Sequence, residues 1–149
     1  MTEKTVINID DVPLVDRGNG KKFAVKWGRV GPLVGLNGLG CAVHIVPPGK
    51  KAFPFHRHHV QDELFFVVSG EGEYRSAPAG TQAHQLINTD SDDLRYLGIS
   101  TVGGVDVVDY PDSTKIAVAV GVKNADFKTV IYVFLGRIAP ADYYDGEDD

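Results

Sequence analysis

No window of this sequence carries a long, clean helical period. Its apolar residues fall instead in short runs, each closed by glycine, proline or a polar pair, which is the pattern of β-strands joined by turns. Leu64-Phe65-Phe66-Val67-Val68 is the strongest run, rich in aromatic and β-branched residues. Thr5-Val6-Ile7-Asn8-Ile9, Phe23–Trp27, Cys41–Val46, Leu94–Ser100, Val105–Val108, Lys115–Val120 and Thr129–Leu135 are further candidates. Ser69-Gly70-Glu71-Gly72 is expected to be a hairpin turn. The glycine-rich stretch Gly31–Gly40 lacks Gly-Lys-Ser/Thr and the glycine order of a dinucleotide loop, so it is expected to form turns or bulges. Many short strands with regular turns imply an all-β sandwich or small barrel. A short helix or irregular segment is expected around Pro140–Tyr144, and the acidic end Asp145–Asp149 is expected to be mobile.

The 149 residues suit one domain, 1–149, with a sizeable core. A net charge of −5 and the absence of a Lys/Arg-rich run argue against a nucleic-acid partner. Lys21-Lys22 and Lys50-Lys51 are isolated pairs. No apolar run is long enough to span a bilayer, and no signal peptide is evident. The single cysteine, Cys41, excludes an intramolecular disulfide. A cytoplasmic location is the expectation.

The chemistry is concentrated in His56-Arg57-His58-His59-Val60-Gln61-Asp62-Glu63 and, downstream, His84. Positions i and i+2 share a face of a strand, so His56 and His58 can point the same way. Glu63 falls on their side only if a turn intervenes, and it then shares its face with Phe65 and Val67. A carboxylate on such a face is costly to bury without compensation, which a cation would supply. His84 shares its face with Leu86 and Asn88. Three imidazoles and one carboxylate are a nitrogen-and-oxygen set suited to a divalent transition metal: zinc, manganese, iron or nickel. His59 is expected on the surface, and His44, between Ala42 and Val46, reads as a packed structural histidine.

These residues resemble the cupin superfamily. Its first motif corresponds to Gly49, His56, His58, Glu63 and Gly70, with one extra residue after Gly49. The second corresponds to Gly72, Pro78, Gly80, His84 and Asn88, with one extra residue before the histidine. The resemblance covers about residues 42–100. It implies a small jelly-roll (double-stranded β-helix) cupin barrel of the single-domain kind, with His56, His58, Glu63 and His84 around a metal ion. It also implies a homodimer, for which the apolar run 129–135 offers a surface. One departure stands out: the two motifs almost touch, where a hairpin normally separates them. Either the barrel is short by that hairpin or a segment between Arg75 and Ser76 is absent from the chain. The interrupted look of both patterns favours the second.

The ligand set permits oxygenase, isomerase, epimerase or decarboxylase chemistry on a small organic or sugar-like substrate, and this enzyme reading leads. A non-catalytic small-molecule-binding or sensing module comes next, then a metal-free barrel whose histidines only pack. Gln82, Gln85, Arg75 and Arg95 are candidates to hold a ligand. Phe55, Phe65, Phe66 and Tyr74 are expected mainly in the core. Asp106, Asp109, Tyr110 and Asp112 are expected to form an ordinary polar turn.

Overall fold

Every strong apolar run becomes a strand. The computed structural model describes residues 6–78, 82–123 and 129–147. In chain order the strands are β1 (Val15–Gly18), β2 (Ala24–Arg29), β3 (Leu39–Val46), β4 (Arg57–His58), β5 (Glu63–Ser69), β6 (Gly72–Ser76), β7 (His84–Asn88), β8 (Leu94–Thr101), β9 (Val105–Tyr110), β10 (Lys115–Lys123) and β11 (Thr129–Gly136). All paired strands are antiparallel. One sheet has the order β1-β2-β3-β8-β5, a second β11-β10-β9-β4, and β6 pairs with β7. Reciprocal main-chain hydrogen bonds between His56 and His84, at 3.1 and 2.8 Å, stitch the β6–β7 pair onto the second sheet. The result is the all-β jelly-roll expected.

Directly paired residues of antiparallel strands share a face, so the register defines the inner wall. One row across the first sheet is Val15, Trp27, His44, Tyr96 and Val67. The next row is Arg29, Ala42, Gly98 and Phe65, and beyond it Gly40 pairs with Ser100 and Ser100 with Glu63. Val25, Val46, Ala52, Leu94 and Tyr96 form the packed core at one end, with Phe53, Phe65 and Leu86 against it. Toward the other end the wall is lined by Gly40, Ala42, Gly98 and Ser100, which leave space.

Several expectations are corrected. Val6–Asn8 form no strand, because Asn8 caps a short 3₁₀ turn at Ile9–Asp11; Thr5 lies outside the described residues. Ser69–Gly72 is not a hairpin turn. β5 pairs with β8 and β6 with β7, so the chain here crosses from one sheet to the other. β6 runs through Arg75 and Ser76 in unbroken register with Gln85 and His84. Phe66 is not core: it faces outward and is 61% exposed. Gly136 ends β11, and the C-terminal segment is irregular with a turn at Tyr143–Gly146, whereas Asp148 and Asp149 lie outside the described residues.

Candidate metal centre

The four side chains singled out by the sequence lie on three neighbouring elements. His56 immediately precedes β4 and His58 ends it, Glu63 opens β5 after a turn, and His84 opens β7 opposite His56. Ligand atoms of His56, His58 and Glu63 lie within 4.8 Å of one another. Oε2 of Glu63 stands 2.9 Å from Nε2 of His84 and 3.4 Å from Nε2 of His58. Two donors each about 2.1 Å from one ion stand at most about 4.2 Å apart, so His56, His58 and Glu63 come close to the spacing of a shared cation, and His84 joins them through its contact with Glu63. Gly80, of the second motif, lies outside the described residues.

The opposite edge of each imidazole is committed. Nδ1 of His56 faces the Pro54 carbonyl at 2.7 Å, Nδ1 of His58 faces Oδ2 of Asp106 at 2.5 Å, and Nδ1 of His84 faces the Gln82 carbonyl at 3.1 Å. Each of these oxygens can only accept, which assigns the proton to Nδ1 and leaves the Nε2 lone pairs for the centre. Nε2 of His84 is buried and, despite its short contact with Glu63, lacks an aligned hydrogen-bond partner. A buried nitrogen of this kind is costly unless something binds it. The residues present therefore fit a divalent metal in donor type and tautomer, and His56, His58 and Glu63 fit it in spacing as well.

Electrostatics agree with that geometry. Burial, reinforced by the neighbouring His84 and His58, pulls the His56 pKa down to about 4, so this ring is neutral at pH 7. Burial opposes ionisation of Glu63, but the three imidazoles outweigh it and hold its pKa below the usual value. Burial likewise opposes protonation of His84, yet the adjacent Glu63 wins and raises it. In the metal-free protein Glu63 is thus a largely buried carboxylate facing imidazoles, a charge that a cation would compensate.

Two cavities, of about 700 and 550 Å³, meet at this cluster and share His58, Glu63 and His84 in their walls. His44 lines the larger one. It is buried and ring-stacked on Tyr96 at 4.6 Å, as a packed histidine should be, and burial pulls its pKa down to about 4. Its Nδ1 nevertheless has no hydrogen-bond partner. Phe65 and Tyr74 line the smaller cavity with Gln82, while Phe55 is buried beneath the guanidinium of Arg75.

The other candidates have structural partners. Arg75 forms a two-bond pair with Asp112, and Arg95 pairs with Asp10, so neither guanidinium is free for a ligand. Gln85 is locked between the Phe53 carbonyl and Lys51. His59 sits on the surface against Asp109, which also holds Arg57. Asp106 is the residue the sequence misplaced. Like Asp109 and Tyr110 it is not in a turn but on β9, whereas Asp112 is in the turn that follows; it is 4% exposed and anchors His58 across 48 residues of chain. No local spacing could have revealed that pairing. Arg17 and Arg29, which drew no notice in the sequence, also line the larger cavity.

The Cupin domain family model matches residues 42–77, which span the first motif and stop short of His84. Among solved structures, a putative sugar phosphate isomerase from Acidithiobacillus ferrooxidans ATCC 23270 is similar, with a TM-score of 0.67 and 22% identity over 89% of this chain and 94% of that one. A sugar phosphate isomerase of the cupin superfamily from Silicibacter pomeroyi DSS-3 is similar at a TM-score of 0.66 and 19% identity, covering 89% of this chain and 92% of that one. No curated protein matches the sequence. At these identities the likeness speaks for the fold.

Proposed function

We propose, from the premise that this chain is a small cupin domain, that it is a metal-dependent isomerase of a small sugar-like substrate, with His56, His58, Glu63 and His84 as metal ligands. One observation carries the metal half of this reading: three imidazoles whose Nδ1 protons are all spoken for, leaving their Nε2 atoms to Glu63 and a common centre. The isomerase half is supported by the two similar structures, both described as sugar phosphate isomerases. When bound there, a divalent ion of zinc, manganese, iron or nickel supplies Lewis acidity that polarises a carbonyl or hydroxyl oxygen.

The chain's own residues supply the rest. The cluster opens onto two cavities rather than a sealed core, as turnover of a substrate requires. His44, neutral at pH 7, stacks on Tyr96 and forms part of the wall of the larger cavity. Phe65 and Leu86 restrict water on the walls beside the ligands. The test is elemental analysis of protein purified without added metal, paired with an assay on aldoses, ketoses and their phosphates before and after chelation. About one ion per chain and an interconversion that stops on chelation and returns with metal are expected. Bound metal with no turnover of any of these compounds would replace the enzyme reading by a binding module. No metal and unchanged behaviour after chelation would leave a barrel of packed histidines.

The reading includes one domain over 1–149 and a homodimer. β11 is the outer strand of its sheet, and Tyr132, Val133, Phe134 and Leu135 on both its faces are 55–65% exposed. An open apolar edge of this kind favours pairing with a second copy. Sedimentation is expected to give twice the 16.1 kDa chain mass; a monomer at micromolar concentration would rule the dimer out. Among the described residues no helix is long and apolar enough to cross a membrane. The lone Cys41 suits the reducing cytoplasm, where we place the protein.

A further inference from the structure

Among the described residues, the arginines around the barrel divide into two groups. Arg57, Arg75 and Arg95 each pair with an aspartate. Arg17 and Arg29 have no carboxylate partner, and both line the larger cavity together with the four candidate ligands. The chain carries 20 acidic residues against 15 Lys and Arg, so a scarcity of carboxylates does not explain two unmatched guanidiniums at one cavity wall. Arg137, beyond β11, also has no carboxylate partner among the described residues but does not line this cavity.

Their placement follows from the register. Arg17 pairs across from Val25 and lies over the Trp27 ring, 4.1 Å from its centroid, which fixes the guanidinium against a rigid plane. Arg29 is two residues beyond Trp27 and so on the same inner face. From Arg29 the wall runs through Ala42 and Gly98 to Phe65, with Glu63 on the same strand two residues away. A Cβ on Gly98 would come within 2.8 Å of the His44 ring, so this floor has no room for a larger side chain. β2 and β5 are separated by β3 and β8, three strand spacings or roughly 14 Å. Arg29 therefore faces the ligand cluster across a floor about as long as a small substrate, with Arg17 one strand further out on β1.

We propose that Arg17 and Arg29 hold the terminal phosphate monoester of the substrate while its other end meets the His/Glu cluster. This rests on the isomerase reading of the same cavity, and it names the substrate class: a small phosphorylated sugar rather than a neutral one. Two guanidinium forks, one of them held over Trp27, match a dianionic phosphate better than a monoanionic carboxylate.

Trp27 is the chain's single tryptophan, so its fluorescence reports on an anion arriving beside Arg17. The test is titration of chelator-treated protein with inorganic phosphate at constant ionic strength, with acetate as the carboxylate arm. Phosphate is expected to give a saturable change, and acetate a change at least about tenfold weaker. Arg29→Ala and Arg17→Gln are expected to weaken phosphate binding by about tenfold or more, as loss of a charge-assisted pair does. Arg29→Lys should fall between, and Arg137→Ala should match the parent protein. Both arginines are exposed, so far-ultraviolet circular dichroism and the unfolding midpoint should stay unchanged in these variants. Equal binding of acetate would reassign the site to carboxylates and overturn the phosphate proposal. Phosphate binding that ignores both arginines, or no saturable change, would overturn it entirely. Because the readout needs neither metal nor turnover, this proposal can fail while isomerase activity is found, or stand while it is not.

Discussion

Alanine at His56 or at Glu63 is expected to lower metal affinity by more than about 100-fold, a loss beyond that seen when an outer-shell partner is removed. Each substitution removes one of the donors that meet at the centre. Asp106→Ala should fall short of that, at roughly 10–100-fold, because it leaves every ligand in place but frees the His58 ring to turn. The ordering is the informative result. Titration of chelated protein with zinc or manganese, read by calorimetry, would show three affinities in the sequence parent, Asp106→Ala, then His56→Ala and Glu63→Ala. Ligand variants that still bind one ion per chain at parental affinity would dismiss these residues as the centre. Asp106→Ala that equals the parent would show that Asp106 does not orient the His58 ring.

The second large effect concerns the crossing between β5 and β6. Gly70 has φ +84°, and a Cβ there would lie 2.6 Å from the carbonyl oxygen of Asp93 and 2.9 Å from Cα of Leu94. These are backbone atoms of the β8 entry and cannot swing aside. Gly70→Val is expected to cost at least about 3 kcal/mol, from left-handed strain in a β-branched residue and from displaced backbone. Gly49→Ala is the control: its φ is +68° but nothing lies within 4 Å of the added Cβ, so about 1–2 kcal/mol of strain alone is expected. Urea unfolding of both variants makes the comparison. Similar midpoints for the two would mean that the chain around Asp93 yields, contrary to the packing described.

Local chemistry carried the strands well, because aromatic and β-branched runs such as Leu64–Val68 have few alternatives to a pleated wall. It also put His56, His58, Glu63 and His84 on converging faces, since strand alternation and one intervening turn suffice for that inference. It failed where the deciding contact is far along the chain. Ser69–Gly72 has the residues of a hairpin, but β5 already finds its partner in β8, so the turn must serve a crossing. Val6–Asn8 alternates like a strand, yet the Asn8 side chain satisfies the Asp10 amide and starts a turn. Asp106 and the pair Arg17 and Arg29 owe their roles to strand neighbours that no spacing rule reaches. Arg75 and Arg95, which looked available in the sequence, are spent on aspartates 37 and 85 residues away.

The mutual amide–carbonyl bonds of His56 and His84 have a consequence for assembly. Two of the proposed ligands sit on the line where the last sheet fragment is sewn to the rest. That line cannot come apart at these residues without separating the two rings, and a cation gripping both would act as a clasp across it. Loading the clasp then raises resistance to unfolding in proportion to the logarithm of free ion concentration, so the availability of metal in the cell would govern the lifetime of the protein as well as its chemistry.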